Sequence, residues 1–192
     1  MAGIEQDYVV AATDQLTPAF ANKVRNMLST YDREDVSSAA VATVSQTLLL
    51  TYFSAYVNMV SKNVTVPTGN TAAAATPTLC RVGLYTIDGA GNLTLVASTV
   101  NDTAMFSAAN AHYVKPWQVP VTINKGQRYA LGTLVVTGVA TPTLNGAPVI
   151  GAIAATTPRL NGSLAAQADL PSSITAASVA TTNAMVYGEL RP

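Results

Sequence analysis

The chain has 192 residues, with ten Lys plus Arg balanced by ten Asp plus Glu, and charged residues make up only 10% of it where about 25% is usual. This length suits one domain with a core of its own. The scattered cations exclude a nucleic-acid surface, no run of about 18 apolar residues offers a membrane span, and the single cysteine, Cys80, permits neither an internal disulfide nor a cysteine-based metal site.

Six of the ten acidic residues fall within the first 35 positions, and the chain divides there. Residues 1–43 read as a helical docking or assembly segment. Thr17 can cap the helix and Pro18 suits its first position, while Phe20, Val24, Met27, Leu28 and Tyr31 recur at helical spacing. The opening "MAGIEQDYVV" lacks the basic-then-apolar pattern of an export signal. "VSSAAVATVSQ" follows with no strong preference.

From Gln46 the period changes to two, and residues 44–192 read as one antiparallel β-sandwich, jelly-roll-like, giving a mainly β fold. "TLLLTYFSAYV" is rich in strand formers, and its first half is apolar on both faces, as in a covered strand. "NMVSKNVTV" is a further strand ending at Pro67. In "TLCRVGLYTIDGAGNLTLVASTV", Val82 and Leu84 share one face while Tyr85 and Ile87 share the other. Asp88–Asn92 supplies a loop whose glycines can take positive φ, so a hairpin is expected. "ANAHYVKPWQVP" reads as a loop between strands. "VTINKGQRYALGTLVVTG" reads as a second hairpin turning at Lys125-Gly126-Gln127, and "AMVYGEL" as the last strand. Residues 138–158 and 165–182 read as long connections.

No residue pattern points to catalysis, and no cofactor is expected. His112 is the sole histidine and has no second imidazole for a metal pair. An acid–base pair would have to come from Asp88, Asp102, Asp169 and Glu189, none of which sits in a motif. Binding has more to recommend it. Tyr113 and Trp117 in an exposed loop could stack on a sugar ring or anchor a protein partner; the alternative is that Trp117 plugs one end of the sandwich. Lys115 and Arg128 read as solvated.

The stretches 44–55, 76–115, 123–138 and 158–174 carry a resemblance. Above all the Cys-Arg-Val-Gly-Leu-Tyr strand (80–85) and the Gly-Gln-Arg-Tyr-Ala strand start (126–130) resemble the β-sandwich module in minor tail proteins of long-tailed phages infecting actinobacteria. The resemblance covers roughly residues 44–192. It implies a non-enzymatic virion component, made in the host cytoplasm and placed on the tail or another exterior structure. Such a component is expected to form a homo-oligomer, a trimer being the expected number, to contact other virion proteins, and to touch the host surface, including a cell-wall glycan. Two alternatives stand beside it: a carbohydrate-binding receptor-recognition module, and a capsid decoration or head protein. Residues 1–43 do not match the module. The strand "LLLTYFSAYVNM" is more apolar than its counterpart, which points to burial against another chain.

Overall fold

In a computed structural model of the protein, the described residues are 27–32, 35–73, 75–149 and 156–192. They form thirteen strands: β1 (Leu28–Ser29), β2 (Ser37–Ala42), β3 (Leu48–Ser54), β4 (Met59–Pro67), β5 (Leu79–Ile87), β6 (Leu93–Ser98), β7 (His112–Ile123), β8 (Arg128–Val136), β9 (Thr143–Pro148), β10 (Asn161–Leu164), β11 (Ser173–Ile174), β12 (Ala184–Val186) and β13 (Glu189–Arg191). Every pairing is antiparallel. The sheet orders are β10-β3-β8-β5-β6-β11, β1-β13-β4-β7 and β12-β9-β2. The fold is therefore an antiparallel β-sandwich, mainly β as expected.

The six-stranded sheet is the middle layer. One face, through Leu49, Phe53, Val82, Leu84, Leu131 and Val135, packs on the two smaller sheets. The opposite face, through Leu48, Leu50, Tyr85 and Leu134, is covered by Leu170, Ile174 and Val179. Residues 165–182 thus form a strap rather than a free connection. The doubly apolar β3 is covered on its second face by this chain itself, not by another chain as expected. At about 1.5–3 kcal/mol for each large apolar side chain fully buried, the strap is a substantial part of the core.

The first hairpin is present as expected: β5 pairs with β6, and Gly91 takes φ +85° in the loop. The expected second hairpin is not one. β7 pairs with β4 and β8 with β3, so Asn124–Gln127 is an arch that crosses between sheets. It lies against the β3–β4 connection, which crosses in the same way: Gly126 N donates to Ala55 O at 2.7 Å and Ala55 N to Gln127 O at 3.0 Å. Lys125 N also donates to Asn58 Oδ1. A short loop containing glycine suits a hairpin and an arch equally, and backbone donors on the neighbouring arch decide between them.

The N-terminal helix is corrected where it can be seen. Thr17, Pro18, Phe20 and Val24 lie outside the described residues. Leu28 and Ser29 are extended and pair with Leu190 and Glu189. Among the described residues there is no α-helix; a 3-10 turn spans Ala176–Ser178. Apolar residues at 27, 28 and 31 satisfy a helical stripe, but Leu28 also fills the core while its backbone completes the ladder of β13. Nor does a division at 43/44 mark an edge of the sandwich, because β1 and β2 precede it and pair with β13 and β9. "AMVYGEL" is two strands, β12 and β13, in different sheets. The chain switches at Gly188, where an added Cβ would lie 2.2 Å from Leu131 Cδ2.

Candidate functional site

"ANAHYVKPWQVP" is not a loop. It contributes most of β7, an edge strand paired with β4. It carries Pro116 and Pro120, which an edge strand tolerates because one side of its backbone needs no donors. The register slips between Ser61 and Asn63, whose partners are Val121 and Pro116, so residues 117–120 bulge out of the ladder. The bulge turns Trp117 inward. Only 4% of it is exposed, and its Nε1 donates to Ser61 Oγ at 2.9 Å. Trp117 is thus a core plug, not a ligand contact.

Tyr113 is half-buried, its ring edge-on to Phe106 at 5.6 Å. Its hydroxyl accepts from Ala108 N at 2.7 Å, and Lys115 Nζ lies 5.9 Å from the ring centroid. It pins the 103–111 loop. Of the residues expected on a docking helix, Met27 and Leu28 are buried; Met27 O accepts from Tyr56 Oη at 2.8 Å. Tyr31 meets Tyr187 edge-on at 5.5 Å, and burial pushes its hydroxyl pKa up.

The four carboxylates considered for chemistry are each held in a contact of their own. Asp88 accepts from Ala90 N, Asn92 N and Asn92 Nδ2, and the Asn92 contacts hold its carboxyl below the ordinary value. Asp102 pairs with Lys115, which lowers its pKa by hydrogen bonding. Asp169 pairs with Arg81. Glu189 is buried, accepts from Tyr187 Oη at 2.7 Å and is clamped by Arg191. Among the described residues, no three His, Cys, Asp or Glu side chains group as a metal site would require, and no helix is long and apolar enough to cross a membrane. His112 is exposed at the start of β7.

A cleft that the sequence did not single out lies beside the arches. Two adjoining depressions of about 360 and 620 Å³ share Tyr52, Arg128, Pro158 and Arg159 in their walls. The three polar side chains among them, Tyr52, Arg128 and Arg159, come from β3, the start of β8 and the segment before β10. They are joined by main-chain contacts: Tyr52 N donates to Leu160 O at 2.9 Å, Arg128 Nη2 to Arg159 O at 3.1 Å, and Arg159 Nη1 to Val179 O at 2.5 Å. Burial raises the pKa of the Tyr52 hydroxyl, while Arg159 and Arg128 oppose the rise, which places both guanidinium charges within electrostatic reach of it. Tyr31, Asp32 and Tyr56 line the smaller depression; Asp88 and Gly89 line the larger. Positions 52, 128 and 159 share no local pattern, so only the folded chain brings them together.

No known protein family matches the chain, and no curated protein is significantly similar to it.

Proposed function

We propose that this chain is a structural subunit of a bacteriophage virion, a minor tail protein whose copies associate into an oligomeric appendage. One observation carries the reading. The four separate stretches that resemble the tail module, 44–55, 76–115, 123–138 and 158–174, contain every strand of the six-stranded sheet: β3, then β5 and β6, then β8, then β10 and β11. The edge strand β7 adds support, because it leaves Val114 and Val119 48% and 69% exposed on a chain with little charge to repel its copies.

The test is to purify particles and look for the chain in them by peptide mass spectrometry, then to locate it with antibody-labelled electron microscopy. Label on the tail is expected. Label on the head would favour the decoration-protein alternative, and absence from particles would end the proposal. Sedimentation of the isolated chain as a monomer at all concentrations would overturn the self-association.

A further inference from the structure

We propose that Tyr52, Arg128 and Arg159 form a binding site for an acidic sugar, holding its carboxylate or phosphate between two guanidinium groups and the tyrosine hydroxyl. The charge distribution singles the site out. Arg81, Lys115 and Arg191 each face a carboxylate. Among the described residues, Arg128 and Arg159 make no ion pair, and their side chains donate only to carbonyl oxygens. A guanidinium carries five N–H donors, so most of theirs are left over. The Tyr52 hydroxyl makes no hydrogen bond among the described residues either, although Tyr52 is otherwise buried. Two unneutralised arginines and a free hydroxyl in one cleft are complementary to an oxyanion.

Size and surroundings favour a sugar. The two depressions fall within the range of small-ligand sites, about 300–1,000 Å³. The ring of Tyr52 and Pro158 offer apolar surface to sugar C–H groups, and Thr157 and Ser54 offer hydroxyl partners. An extended peptide would need a free strand edge, but β3 is paired on both sides, with β8 and β10. Two carboxylates line the cleft: Asp88 does not compete for the arginines, since its own turn engages it, and Asp32, in the wall of the smaller depression, forms no ion pair with either arginine among the described residues. The site is rigid as well, because Tyr52 sits on an internal strand.

The inference goes beyond the virion reading and does not depend on it: binding is read on the isolated 192-residue chain, and particle association on purified phage. Calorimetric titrations at low salt would compare glucuronyl-glucose, glucose 6-phosphate and neutral cellobiose. At least one acidic sugar should bind ten or more times tighter than cellobiose, and which one binds identifies the oxyanion. High salt should weaken the interaction. Arg128→Gln and Arg159→Gln should abolish it. Tyr52→Phe keeps the buried ring and removes only the free hydroxyl, so it should weaken binding about tenfold with an unchanged Tm. Equal or absent binding of all three sugars, or full binding by Tyr52→Phe, would overturn the proposal. Tighter binding of tetraglutamate than of either acidic sugar would overturn the sugar assignment.

Discussion

Arg81 grips Asp169 with Nη1 at 2.8 and 2.9 Å from the two carboxylate oxygens. Arg81 stands on β5, whereas Asp169 belongs to the strap over the outer face of the sheet. The same guanidinium donates from Nε to Thr99 O and from Nη2 to Ser98 Oγ and Gln118 Oε1. One side chain therefore joins β5, β6, β7 and the strap. Asp169 is half exposed, so Asp169→Ala should cost no more than about 1 kcal/mol. Arg81→Ala also strips the donors from its other partners and should cost about 1–3 kcal/mol. Hydrogen exchange should show amides of 165–180 losing protection ahead of β3 and β8 in both variants.

Tyr85 lies over a pair of glycines. Gly83 and Gly132 face each other across β5 and β8, and an added Cβ would come within 3.2 and 2.9 Å of Tyr85 Cε2. The ring occupies the space two side chains would fill, as aromatics do over strand glycines. Gly132→Ala should destabilise by about 1–3 kcal/mol through overpacking. Pairing it with Tyr85→Leu should recover part of the loss, and a double-mutant cycle in urea measures that coupling.

Trp117 is the sole tryptophan, so its fluorescence reports on the core alone. The folded protein should emit at short wavelength and resist acrylamide quenching. Trp117→Phe removes the donor to Ser61 and leaves a small cavity, for a loss of about 1–3 kcal/mol. Emission of the folded protein at the wavelength of the urea-unfolded chain would contradict the buried placement.

Asp102 and Lys115 set an acid limit. The folded carboxyl of Asp102 sits below its ordinary value because Lys115 hydrogen-bonds it and Ala104 N donates to it. A depressed folded pKa gives stability that is present above the unfolded value, near pH 4, and lost as pH falls through the folded one. The pair is partly exposed, so the contribution is under about 1 kcal/mol. Asp102→Asn should flatten the stability profile on the acid side, as urea titrations between pH 5 and 2.5 would reveal.

Cys80 should be inert while the chain is folded. Burial, reinforced by Asp102, pushes its thiol up to about 12, and only the thiolate reacts quickly. Thiol reagents at pH 8 should label it at the rate of unfolding, and immediate labelling would contradict its burial.

Local signals carried by the sequence determined much of the sandwich. Alternation in 79–87 located β5 and named both of its faces, and Asp88–Asn92 announced a true hairpin, because both features depend on residues within a few positions of each other. Tertiary structure decided the rest. Whether Asn124–Gln127 made a hairpin or an arch depended on which strands lay alongside, and whether Leu28 went into a helix or a strand depended on the open edge of β13. Trp117 went into the core because of a bulge opposite Ser61, a register matter invisible in β7 alone. The Tyr52, Arg128 and Arg159 cleft was the least legible feature of all. Its residues are far apart in the chain, Arg128 and Arg159 being 31 positions from one another, and nothing about any one of them distinguishes it until pairing across the sheet and the contacts of the segment before β10 bring their side chains to one place.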